Sequence, residues 1–500
     1  MRCIECEEIE LARVSDARPA QTMEIPYAAL DGFPAGRSAG ALTRRRLLQF
    51  GVAGLASVYA PKALGWESVW ESVAAEAAPS SDNCLVLLYL AGGNDGLNTL
   101  VPNGAADYSA YVDARTAIHR LQGASAGGVV GSTPLAGFAG QHLAFSNVMV
   151  STAGGGDNGD VHGLDTLYGD GSGGPGSDLA VMPAVDAVKY SLSHFDNSDV
   201  WFKASYDMNV KTGWLGRWID SYGSPTNPLQ AISIDTALSK SIRTAANPVC
   251  AIPSLSSLGF TMNSPGGVGN TAVNAQMAAL AALPAGATNA YLSRTRTTYG
   301  TAVETQQRAA SGPAYTPGTG YPSNGTLSTR LRLAAHLLGA NLGTRIITIH
   351  WGSFDTHSDQ LAAQDAQLTE LSRALGAFRA DLAARGIEQK VCTLVFSEFG
   401  RRVRENGSAG TDHGAGGLML AMGSGVRGGL ASEWPGCRPQ DLVPANSPAQ
   451  GNLKVPTDYR SVYRAVIEEW LGDDPDAIIG GGAIAPLVRG DGATGRALFK

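Results

Sequence analysis

The chain has 500 residues, 44% of them hydrophobic and 16% charged, with a formal net charge of -7 at pH 7. That is ample length for a large buried core, and the acidic balance argues against a nucleic-acid partner. Its 63 glycines point to many loops rather than long regular elements.

The first informative stretch is "TRRRLLQFGVAGLASVYA", where Thr43, Arg44, Arg45 and Arg46 stand directly before an apolar run from Leu47 to Ala60. A run of that length suits the apolar part of an export signal, roughly 7–15 residues, and is too short to span a membrane. The arrangement resembles the twin-arginine signal, so residues 1–78 are expected to be signal peptide and leader. This implies the twin-arginine export machinery as a partner, a periplasmic or extracellular location, and no stable membrane span after cleavage. Cys3 and Cys6 leave with the leader. Cys84 and Cys392 sit in apolar runs and read as buried, whereas Cys250 and Cys437 lie in Pro-rich loops and are candidates to pair in an oxidising compartment.

"CLVLLYLAGG", from Cys84, is a continuous apolar run closed by glycines, the pattern of a strand buried on both faces. Residues 151–180 form a Gly/Asp-rich insertion. Within it "GLDTLYGDGSGG" resembles one turn of a calcium-binding β-roll repeat, but one turn has no neighbour to stack on, so a flexible surface loop is the leading reading. "YSLSHFDNSDVW" follows, with Ser191, Ser193, His194 and Asp196. A serine at a helix start is either a metal-activated nucleophile or an ordinary N-cap. Residues 250–325, rich in Ala, Gly, Thr, Ser and Pro, read as a second insertion.

Strand-like runs return in "TRIITIHW", "KVCTLVFSEFG" and "GGLMLAMG". Between the first two, Leu361, Leu368, Leu371, Leu375, Phe378 and Leu382 form one helical stripe that Gly386 is placed to stop. A last helix is expected from a Thr457 or Asp458 cap through Val462, Val466, Ile467 and Trp470 to Gly472. Strand, helix, strand, strand is the grammar of a parallel sheet covered by helices. The expectation is a single α/β domain over residues 79–500 with a doubly wound, mostly parallel sheet and helices on both faces. Its core comes from residues 82–150 and 325–475, with loop-rich insertions at 151–180 and 250–325.

In such sheets ligands bind beyond the carboxyl ends of the strands. The first strand ends in "GGNDGLNTLVP" with Asn94, Asp95 and Asn98; the second in "HWGSFDTHSDQ" with Asp355 and His357. The third ends in "SEFGRR" with Glu398, and "GTDHGAGG" brings Asp412 and His413 back before the fourth. Mixed carboxylate and imidazole ligands suit zinc, manganese or iron; carboxylates and amides alone suit calcium or magnesium. Each residue alone reads as a turn, a cap or a structural histidine. Their shared edge points to a divalent-metal or anion site.

The motifs "GGNDGLNTLVP", "SHFDN", "GWLGRW", "FDTHSDQ", "SEFGRRVRENGSAGTDHG" and "TDYRSVYRAVIEEWLG" occur in the order of the domain of unknown function 1501 family, and the chain resembles it over residues 40–485. That family is grouped with the alkaline phosphatase and sulfatase superfamily, so the resemblance implies an alkaline-phosphatase-like fold and metal-assisted ester cleavage. It would make Asp95, Asp355, His357, Glu398 and His413 metal ligands, to which the strand-end reading adds Asp412, with Ser191 or Ser193 in the nucleophile region. Three features depart from the superfamily pattern: the short Asp355–His357 spacing, Phe399 where an imidazole is expected, and no arginine before Ser191. The functional expectation is an exported metal-dependent hydrolase of a small phosphate or sulfate ester, with Arg401 or Arg402 holding the anion. The alternative is a secreted, non-catalytic binding protein with a degenerate metal site.

Overall fold

The computed structural model describes residues 82–135, 143–151, 163–172, 176–189, 191–254, 318, 320–444, 451–479 and 484–500. The leader and most of the 250–325 insertion lie outside the described residues. Among those described, no helix is long and apolar enough to cross a membrane.

The nine-stranded central sheet contains β1 (Cys84–Leu90), β2 (Leu179–Asp186), β3 (Ala231–Ser233), β4 (Cys250–Ala251), β5 (Ile346–Trp351), β6 (Val391–Phe396), β7 (Gly417–Met422), β8 (Gly429–Leu430) and β9 (Thr457–Asp458). The order is β8-β2-β7-β6-β1-β5-β3-β4, with β9 also on β2. β7 pairs antiparallel with both β6 and β2, while every other pairing in the sheet is parallel. The mostly parallel α/β sheet read from the apolar runs is therefore present.

Strand β1 shows why both faces are covered. Val86, Leu88 and Leu90 enter one core, with leucines of α3 (Thr326–Gly339) and α4 (Gln360–Ala384). Leu85, Leu87 and Tyr89 enter the other, with Trp201 of α1 (His194–Lys203), Trp214 of α2 (Trp214–Tyr222) and Tyr459 of α5 (Tyr459–Ala465). Alternation sends successive side chains to opposite faces, and each large one buried stabilises by about 1.5–3 kcal/mol.

Helix α4 buries Leu368, Leu371, Leu375, Phe378 and Leu382, and Gly386 follows at φ +69°. The first turn departs from the expected stripe, because it buries Gln360 and Gln364 while Leu361 is half-buried. Both amides bond to Asp95, so polar satisfaction decides which face turns inward there. The last helix has the expected Asp458 cap, then continues as a π-helical turn over Val466–Leu471 before Gly472 at φ +80°.

Two expectations are corrected. Cys250 and Cys437 are buried free thiols, as are Cys84 and Cys392. Cys250 lies in edge strand β4, and Cys437 Sγ donates to Asp107 O at 3.3 Å on the helix Ala105–Ala114. "LDTLY" in the Gly/Asp-rich insertion is a short helix, neither the surface loop favoured from sequence nor a β-roll turn, and Asp165 accepts from Ser151 N at 2.7 Å.

Candidate metal centre

Strands β1, β5 and β6 are parallel neighbours, so their following loops meet at one edge. After β1 come Gly92 at φ +110° and Gly93 at φ +76°. Their N–H groups donate to Glu398, two residues past β6, at 2.9 Å (Oε1) and 3.1 Å (Oε2). A Cβ on Gly92 would lie 2.5 Å from Asp355 N, and one on Gly93 2.4 Å from the Phe399 ring. Only glycine supplies both the left-handed backbone and the close approach.

Glu398 is fully buried and also accepts from His194 Nδ1 at 2.6 Å. His194 is the first residue of α1, placed there by the Ser193 cap. Its Nδ1–H is committed to the carboxylate, which leaves the Nε2 lone pair facing inward. That buried nitrogen has no hydrogen-bond partner and lies 3.5 Å from Asp355 Oδ1. His413 repeats the arrangement: its Nδ1–H donates to Leu192 O at 2.8 Å, and its Nε2 sits 3.1 Å from the same Asp355 oxygen. His413 is held in place by a two-residue antiparallel ribbon, opposite Arg401.

Two imidazole lone pairs and a carboxylate oxygen thus converge, with the ligand atoms of His194, Asp355 and His413 within 4.8 Å of one another. Such a meeting of electron pairs is stable only around a proton or a cation. Outer acceptors on both Nδ1 atoms are the usual support of metal-binding histidines. The donor set fits a divalent metal.

The remaining residues named from sequence have other places. Asp95 is a buried counter-ion: Arg115 donates to it at 2.6 Å (Oδ2) and 3.0 Å (Oδ1), and it caps the turn Gly96–Thr99. Glu398 supports His194 from behind. His357 places Nδ1 3.0 Å from Asp355 Oδ1, at the edge of the cluster. Asp412 is exposed and accepts from Asn406 at 3.1 Å. Arg401 is buried, and its guanidinium is spent on the carbonyls of Gly93, Thr411 and Phe354 and on Asp355 at 2.6 Å. It orients the carboxylate and is not available to an incoming anion. Ser193 Oγ accepts from Asp196 N, and Ser191 Oγ from Ser193 N, so both hydroxyls serve the turn. Phe399 packs on the rings of His194 (4.8 Å) and His413 (4.7 Å), where the superfamily resemblance anticipates an imidazole.

His194 is the residue that sequence reasoning named without assigning a ligand role. The available signal was its position directly after a capping serine, which fixes a side chain at a helix start.

Burial opposes charge on His194, but the carboxylates of Asp355, 3.5 Å from Nε2, and of Glu398 outweigh it and raise its pKa from 6.5 to about 9. Burial likewise opposes charge on Asp355, yet the imidazoles of His194, His357 and His413 around it pull its carboxyl far below the usual range. Because the His194 value is raised on folding, this proton stabilises the metal-free protein fully below pH 6.5, and that stability is lost as pH rises through about 9. A cation must displace the same proton. Metal affinity is therefore expected to rise about tenfold per pH unit between 6.5 and about 9, measured by competition with a chromophoric chelator. A flat profile would remove His194 from the ligand set.

Beyond His413 and His357 opens a cavity of about 1340 Å³, lined also by Leu192, Arg402, Arg404 and Arg438. Arg438 is tied to Asp441 and Asp107. Arg404 is exposed and makes no hydrogen bond or ion pair among the described residues.

Residues 202–444 match the family model described as "Protein of unknown function (DUF1501)". That segment belongs to the DUF1501 family. The DUF1501 match takes in Asp355, His357, Glu398, Arg401, Asp412 and His413, and begins after His194. Comparison with curated proteins finds no match. Among solved structures the chain is similar to a mutant of TAB5 alkaline phosphatase with magnesium bound in its M3 site, at 11% identity and TM-score 0.26, covering 70% of this chain and 93% of that one. It is also similar to the PH0037 protein from Pyrococcus horikoshii, at 13% identity and TM-score 0.19, covering 68% and 85%.

Proposed function

We propose that this protein is a metal-dependent hydrolase of an anionic ester, phosphate or sulfate, with a single cation held by His194, Asp355 and His413. The carrying observation is the buried Nε2 of His194, without a hydrogen-bond partner and facing the same carboxylate oxygen as His413 Nε2. Two imidazoles and one carboxylate favour zinc, manganese or iron over the oxygen-only preferences of calcium and magnesium. When bound, such an ion supplies polarisation of an ester oxygen and acidifies water.

The chain's own residues supply the rest. Ser191 and Ser193 are occupied in the turn, which leaves water as the nucleophile. His357 donates Nδ1–H to Asp355, and its Nε2 has no hydrogen bond among the described residues; as the doubly protonated imidazolium it passes its Nε2 proton to the leaving oxygen. Arg404 offers its fork to the substrate anion. Phe399 closes the far side of both histidines against water.

The test is a panel of phosphomonoesters and sulfate esters, run with zinc-loaded and manganese-loaded protein. In His357→Ala, kcat should fall by roughly 10²–10⁴ while metal stoichiometry is unchanged. Stoichiometric metal without turnover would favour a secreted binding protein instead. Absence of metal from the wild-type protein would end the proposal.

A further inference from the structure

Leu192 stands in the left-handed region at φ +61°. The other described non-glycine residues with positive φ are Ala184, Ala204, Asn341, Asp359 and Ala409, so Leu192 alone among them carries a long apolar side chain. Alanine, asparagine and aspartate tolerate that conformation better than leucine, and strain of this kind persists only where the surroundings over-determine it.

The surroundings do so here. Asn197, 1% exposed, accepts from Ser191 N at 3.0 Å and donates to Glu398 O at 3.2 Å, which clamps the turn to the end of β6. Ser193 N donates to Ser191 Oγ at 3.1 Å, and Ser193 then caps α1. The left-handed residue reverses the chain between these two anchors. Its carbonyl meets His413 Nδ1 at 2.8 Å, and two residues later the chain delivers His194. The serines that the sequence offered as nucleophiles are instead parts of this turn.

We propose that Leu192 is a positioning residue: its left-handed conformation aims the carbonyl that fixes His413 in the Nδ1–H tautomer, so one strained turn aligns both histidines of the cluster. The inference rests on the metal reading above for its consequence, but the tautomer effect stands without a metal. Glycine at this position keeps the carbonyl and adopts the conformation freely, whereas a β-branched residue resists it most.

The experiment uses the full chain, zinc as the probe, and nitrogen-15 histidine spectra of the metal-free protein. Leu192→Gly should bind zinc within about threefold of wild type and keep the His413 tautomer. Leu192→Val should weaken zinc by about tenfold or more and redistribute the tautomer. Wild-type zinc affinity and an unchanged tautomer in Leu192→Val would overturn the proposal. If Leu192→Val does not fold, Leu192→Thr, also β-branched, replaces it: weaker zinc binding than Leu192→Gly supports the role, and equal binding refutes it. If wild type takes up no zinc, the metal reading fails and the spectra alone decide: a tautomer that changes with residue 192 supports positioning, and an invariant one defeats it.

Discussion

Asp355→Ala is expected to release the metal completely and to destabilise the metal-free protein by about 3 kcal/mol. Its Oδ1 is the point on which the whole cluster closes. Arg401 lies 2.6 Å away, His357 Nδ1 3.0 Å, His413 Nε2 3.1 Å and His194 Nε2 3.5 Å. Truncation removes the only anionic donor of the proposed ligand set, and it leaves the buried Arg401 guanidinium without its carboxylate. Removing one partner of a buried pair costs about 3–5 kcal/mol, and the lower end applies because the Asp355 side chain is 21% exposed. Asp355→Asn separates the two effects, since it keeps the shape and one acceptor oxygen while removing the charge. Elemental analysis of the purified variants, with urea unfolding of each metal-free form, measures both. Full metal stoichiometry in Asp355→Ala would exclude the centre as described.

Asp95→Ala should be at least as destabilising, by about 3–5 kcal/mol, yet leave metal stoichiometry per folded molecule unchanged. The Asp95 and Arg115 side chains are 1% and 0% exposed. Arg115 also donates to Arg402 O at 2.9 Å and Val403 O at 2.8 Å, so the pair joins the first strand-end turn to the loop that follows Arg401. Without Asp95 a guanidinium would remain buried and uncompensated. The double change Asp95→Leu with Arg115→Met should recover much of the loss, because a buried pair replaced by apolar groups is often neutral. Folded Asp95→Ala that has lost its metal would restore the direct ligand role implied by the family resemblance.

Strands β1, β5, β6 and β7 and helices α4 and α5 were legible because their signals are local, whereas β2 and the two- and three-residue strands were not read. A fully apolar run such as "CLVLLYL" states burial on both faces, and a stripe such as Leu368 to Leu382 states which side of a helix faces the core. Asp355, His357, Glu398 and His413 were found together for a related reason: parallel strands carry the residues just past their ends to one edge. The stripe failed only at Leu361, where Gln360 and Gln364 turn inward to reach Asp95, a partner on a different loop.

The roles within the site were not legible, since they depend on which charge lies beside which. By itself the sequence determined strands β1, β5, β6 and β7, helices α4 and α5, the strand-end loops and the kinds of donor gathered there. Tertiary structure alone decided that Asp95 answers Arg115, that Glu398 stands behind His194 from 204 residues away, and that Asp355 receives Arg401 and three imidazoles. A carboxylate binds a metal only if no neighbouring guanidinium already satisfies it. That neighbour is set by packing between elements distant in the chain, and the periodicity of neither element encodes it.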